Sequence, residues 1–210
     1  MATQFNSDNV IASSGIRPSL TNITTSSALN ITESGGGGVV RYVHKYTGAT
    51  SSYTAAGSTW NQFPSSLLAA TITPTSTNNG VLIYVRWCGE VAESWNTTFG
   101  VKRNGTIITN PGRGDLGFYT PQSSQNYGLA VGRASYVVGA TNFSTTPESC
   151  DFWFYDLPQS NQALTYELTI RQQNGTGSPI YLNRTQNDSN INTRERMTSA
   201  IDLYEICRVI

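Results

Sequence analysis

Across residues 163–172 the chain alternates strictly, with Leu164, Tyr166, Leu168 and Ile170 on one side of an extended backbone and Thr165, Glu167, Thr169 and Arg171 on the other. A period of two marks a β-strand with one buried face, because successive side chains of a strand point to opposite sides. A helix would scatter the same residues around its circumference. The pattern recurs. Residues 39–46 place Val40, Tyr42, His44 and Tyr46 on one face, and residues 81–88 place Val81, Ile83, Val85 and Trp87 on one face with Arg86 opposite. Asn104-Gly105, between residues 99–103 and 106–109, predicts a hairpin, since this dipeptide supplies the positive φ angles of a type I′ turn. Shorter strands are expected at 58–63, 68–73, 134–139, 151–155, 179–183 and 198–206.

Composition closes the alternative. Thr, Ser, Gly and Asn together fill 87 of 210 positions, whereas charged residues make up 12%. Long solvated helices need Lys, Glu, Gln and Ala, so a helical protein is excluded. The 11 Tyr, 7 Phe and 4 Trp are strand formers with enough apolar bulk to fill a core. Short strands separated by Gly, Pro and Asn turns specify an all-β chain, an antiparallel β-sandwich of jelly-roll type.

The chain divides at its glycines. Residues 1–38 crowd Ser, Thr and Asn between isolated aliphatics such as Val10, Ile16, Leu20 and Ile31, and end in Gly35 to Gly38, a hinge. Such a segment cannot build its own core. It reads as an extended N-terminal arm laid on a partner, ahead of a sandwich head at 39–210.

Thirteen basic residues balance thirteen acidic ones, and eleven of the basic ones are Arg beside Lys45 and Lys102. That leaves no surplus charge for a phosphate backbone, so nucleic acid is not an expected partner. No run of 18 apolar residues and no basic-then-apolar start is present, so neither a membrane partner nor a signal peptide is expected. The eight Asn-X-Ser/Thr sequons then carry no weight. Cys88, Cys150 and Cys207 are too few and too far apart for a disulfide framework or a zinc site, and read as free thiols.

Catalytic chemistry finds little footing. His44 is the one histidine, in mid-strand between Tyr42 and Tyr46. Glu90 with Glu93 reads as a pair of solvated turn acids, and Asp151 with Asp156 as strand-end residues, the latter capping a turn before Leu157-Pro158. Gly35 to Gly38 lacks the Lys-Ser/Thr of a phosphate loop. No catalytic residue, cofactor or metal is therefore expected. Arg113-Gly114-Asp115 falls in a glycine-rich loop that produces this tripeptide easily. The expected binding residues are Phe118, Tyr119 and Tyr127, in the long loop 110–133, because variation in a loop on a rigid sandwich leaves the core untouched. Trp95, Tyr119, Tyr127 and Trp153 have the rings to stack on sugar faces.

The succession of blocks carries a resemblance. It runs from residues 70–85 (ATITPTSTNNGVLIYV) through the hairpin 101–108 (VKRNGTII) to Tyr155-Asp-Leu-Pro158 and Leu164-Thr-Tyr166. Ile180-Tyr-Leu-Asn-Arg184 and residues 197–206 (MTSAIDLYEI) complete it. The whole resembles a domain frequent in tail fibres and other virion appendages of bacteriophages, notably marine and cyanobacterial ones. It covers residues 39–207. The resemblance implies a phage structural protein, a trimeric β-sandwich head on the surface of the virion, held to other virion proteins through residues 1–38. A short tail fibre or knob that meets a host surface glycan or receptor is the first expectation, and a capsid decoration or cement protein the second. A capsule-degrading tailspike is disfavoured, because those are long parallel β-helices with paired acids in a groove.

Overall fold

The computed structural model describes residues 38–54, 60–62, 67–91, 97–108, 128–131, 147–172, 179–189 and 195–207. The expected arm, apart from Gly38, and the expected strand 134–139 lie outside them. Twelve strands follow one another without a helix among the described residues: β1 (Val39–Thr47), β2 (Ser51–Thr54), β3 (Asn61–Gln62), β4 (Ala69–Ile72), β5 (Gly80–Val91), β6 (Thr97–Arg103), β7 (Thr106–Ile107), β8 (Ala130–Val131), β9 (Glu148–Asp156), β10 (Leu164–Gln172), β11 (Pro179–Leu182) and β12 (Ser199–Ile206).

The pairing is nested and antiparallel throughout. β1 pairs with β12, β4 with β10, β5 with β9, and β6 with β8. That is one long hairpin folded over on itself, and further pairing of β12 with β5 and of β10 with β6 closes it into two sheets. The first sheet runs β1-β12-β5-β9, and β11 and β2 continue along β5 beyond the end of β12. The second has β10 between β4 and β6, with β3, β7 and β8 at its margins. The result is an antiparallel β-sandwich with jelly-roll pairing, as the alternation predicts.

Between the sheets lies the apolar core. Val81, Ile83, Val85 and Trp87 of β5 meet Leu164, Tyr166, Leu168 and Ile170 of β10, with Phe99, Val101, Ile201 and Leu203. Trp87 packs on Phe99 with ring centroids 5.0 Å apart. At the β6–β7 turn Asn104 and Gly105 have φ of 48° and 78°, as a type I′ turn requires. Gly89 is needed for a different reason: a Cβ there would lie 1.8 Å from the Tyr181 carbonyl oxygen on β11.

Several expectations are corrected. β10 does not have one dry and one wet face, since Glu167 and Thr169 are buried as well. The strand is interior to its sheet, with β4 and β3 on one side and β6 on the other, and Lys102 Nζ of β6 donates to the Trp60 carbonyl at 3.5 Å. Glu90 is no turn acid: it lies within β5, buried, and accepts from the Gln186 backbone N–H. Asp156 does not cap a turn. It points inward, where its carboxylate accepts from Arg103 and from the Tyr166 hydroxyl at 2.8 Å. Residues 110–133 are not all loop, because Ala130–Val131 pairs with β6.

Candidate functional site

The inner halves of β1, β12, β5 and β9 are spent on the core, and strand alternation turns the other halves outward. Register assembles these into rows across four strands. His44, Asp202, Tyr84 and Trp153 are successive partners in one row; Tyr42, Tyr204, Leu82 and Tyr155 form the next, and Tyr46, Ala200, Arg86 and Asp151 the third. Residues from four distant stretches of chain thus make one continuous surface. Tyr46 is 68%, Trp153 55% and Tyr42 45% exposed.

The rings touch one another along and between strands. Tyr84 and Trp153 have centroids 4.4 Å apart, Tyr42 and Tyr204 4.8 Å, His44 and Tyr46 5.6 Å, and Trp153 and Tyr204 6.1 Å. Cross-strand aromatic neighbours of this kind stabilise a sheet by themselves. Acids lie between them. Asp202 Oδ1 accepts from the Tyr42 hydroxyl at 3.0 Å and contacts His44 Nδ1. Asp151 Oδ1 accepts from the Tyr84 hydroxyl at 3.2 Å. Burial, followed by the hydrogen bond to Asp202 and its charge, pushes the Tyr42 phenol up to about 12. Tyr84 is raised by burial and then by Asp151, and Tyr204 by burial and then by Asp202. These phenols stay neutral donors at physiological pH.

One end of the surface falls into a recess of about 460 Å³ lined by Arg86, Cys88, Ser149, Arg196, Met197 and Thr198. Arg86 Nη2 donates to the Thr198 carbonyl at 3.3 Å, and Asp188 holds Arg196 by two bonds of 2.7 and 2.8 Å. Among the described residues no three His, Cys, Asp or Glu are grouped to hold a metal. The arrangement offers stacking faces, carboxylate acceptors and guanidinium donors.

Of the residues singled out in the sequence, Trp153 lies on this surface, at the β9 end of the row that begins with His44. Phe118, Tyr119, Tyr127, Trp95, Glu93 and Arg113-Gly114-Asp115 lie outside the described residues. Asp151 and Asp156 cannot work as a pair, because one faces solvent and the other the core on opposite sides of β9. Cys88, Cys150 and Cys207 are free thiols. Sequence reasoning missed Tyr84, Asp202 and Tyr204 as parts of a site. Alternation does put Tyr42, His44 and Tyr46 on one face, but the register that brings Tyr204, Tyr84 and Trp153 beside them is a property of the closed sheet.

No family model matches the chain, and no curated protein does. Among solved structures, that of infectious bursal disease virus, Gt strain, is similar with a TM-score of 0.35 and 10% identity, over 99% of this chain and 47% of the other. The chain spans about half the length of that neighbour. The fold, an all-β antiparallel sandwich, rests on the strand pairing itself.

Proposed function

We propose that this chain is a bacteriophage virion structural protein, a short tail fibre or knob in which three β-sandwich heads are fixed to the particle through residues 1–38 and meet the host surface. Jelly rolls serve in viral shells and in lectins alike, so fold leaves the choice to the surface. The observation that carries the reading is the outward face of β1-β12-β5-β9. Large rings held in water in ordered rows contribute little to the core, and contiguous exposed rings of this kind mark interaction surfaces. The order of strand blocks resembling phage appendages supplies the setting. The head works by binding, and incubation with host capsule should release no reducing ends.

Immunogold labelling of intact particles tests the reading. Gold on tails supports the appendage, gold on heads replaces it with the cement protein, and bare particles overturn both. Purified protein should scatter light as three times the chain mass; a monomer would remove the trimer. Exchanging residues 110–127 for a short Gly-Ser linker, which spares β8, should abolish adsorption if Phe118, Tyr119 and Tyr127 take part in it.

A further inference from the structure

We infer that the outer face of β1-β12-β5-β9 is a saccharide-binding platform, on which a pyranose ring stacks against Trp153 beside Tyr84 while Asp151, Asp202 and Arg86 take its hydroxyls. The inference rests on the attachment reading for its setting and names the ligand class and the residues.

Shape comes first. The row His44, Asp202, Tyr84, Trp153 crosses four adjacent strands, so it extends on the order of 14 Å at the usual inter-strand spacing, along the outer face of the sheet. That suits an extended chain of rings lying flat better than a compact small molecule, which needs a concave pocket. Chemistry comes second. A sugar presents an apolar C–H face ringed by hydroxyls at its edge. The exposed Trp153 indole can cover the face, and the neighbouring carboxylates accept at the edge. Both bonds to Asp202 fall on Oδ1, and Oδ2 makes none among the described residues. Beyond Asp151 and Arg86 the recess with Arg196 continues the surface, giving the next sugar room and two guanidinium donors.

Charge argues against a protein occupant, a second copy included. Such a partner would strip water from the exposed Asp151 and Arg86 and would need to pair each one, whereas Asp202 is already buried against Tyr42 and His44. Leu82 and Ala200 are the aliphatics of the three described rows, too few for the apolar centre of a self-interface. A saccharide leaves these groups hydrated at its edge and offers a hydroxyl for each water it displaces.

The test is calorimetric titration of the full chain with cellohexaose, chitohexaose, maltohexaose and an oligogalacturonate, beside the variants Trp153→Ala, Trp153→Phe and Arg86→Ala. At least one oligosaccharide should bind. Trp153→Ala should weaken it tenfold or more and lower the thermal midpoint by a few degrees at most, as the ring is exposed but stacks on Tyr84, while Trp153→Phe stays within threefold. Arg86→Ala should weaken the hexamer more than the matching disaccharide. Binding of none of the four, or equal binding by Trp153→Ala and the parent, overturns the inference. Particle labelling is independent: labelled tails with no saccharide binding sink this inference alone, and saccharide binding with unlabelled particles sinks only the virion reading.

Discussion

The Tyr166 hydroxyl donates to Asp156 Oδ2 at 2.8 Å in the interior, joining β10 of one sheet to β9 of the other. Arg103 of β6 reaches the same oxygen. Burial, and then the Asp156 charge, raises the Tyr166 phenol far above its ordinary value of 10.0. A group raised in the folded state contributes stability that is complete below its unfolded pKa and is lost as pH rises beyond it. Stability should therefore hold up to about pH 10 and then fall by about 1.4 kcal/mol per pH unit for this group. Urea unfolding between pH 8 and 11 measures the slope, and Tyr166→Phe should flatten it by one proton while costing roughly 1.5–3 kcal/mol at pH 8.

The buried second face of β10 makes a different demand. Leu168→Ala should cost about 2–5 kcal/mol, because it opens a cavity between the sheets. Thr169→Ala, which a one-faced strand would tolerate, should cost roughly 1–2 kcal/mol, since Thr169 is fully buried and bonded. Equal denaturation midpoints for Thr169→Ala and the parent would mean that the outer side of β10 is open.

Two glycines separate conformation from space. Gly105 has open room around a Cβ but a φ of 78°, so Gly105→Ala should cost about 1–2 kcal/mol and leave the fold intact. At Gly89 the obstacle is the backbone of β11, and Gly89→Ala should break the β5–β11 pairing. Amide exchange at residues 180–182 reads this directly, and protection there equal to the parent's would contradict the close approach.

Thiol reactivity should be graded. Burial, followed by the Asp151 charge, pushes Cys150 up to about 11, and Cys88 is raised chiefly by burial, so thiolate is scarce at both at neutral pH. Cys207, half-buried at the end of β12, should react first with a thiol reagent, and all three once unfolded. Simultaneous reaction of three thiols in the native protein would contradict this burial.

Much of the fold was legible because the strongest signals were local. The alternation at 164–170 and 81–87 and the Asn104-Gly105 turn follow from residues within a few positions of one another. β2 and β8 escaped because four and two residues are too short to display a period. The buried faces of Glu90, Glu167 and Thr169 escaped because solvent on a strand's second side is removed by neighbouring chain, which no local pattern records. Residue type alone puts Trp153 among four rings able to stack and leaves open whether it is buried; its exposure, and its union with Tyr42, Tyr84, Asp202 and Tyr204, arise when β1, β12, β5 and β9 come into register.

The nesting of the strands also sets an order of events. His44 and Asp202, paired across β1 and β12, are 158 residues apart, so the earliest strand of the head meets its own sheet through the latest one. During synthesis β1 must wait, unpaired, while almost the whole sandwich is made, and the loop it closes is nearly as long as the domain. The aromatic rows are completed last, so a chain stopped before residue 199 would carry every ring of β1 and β9 and still lack the surface they form.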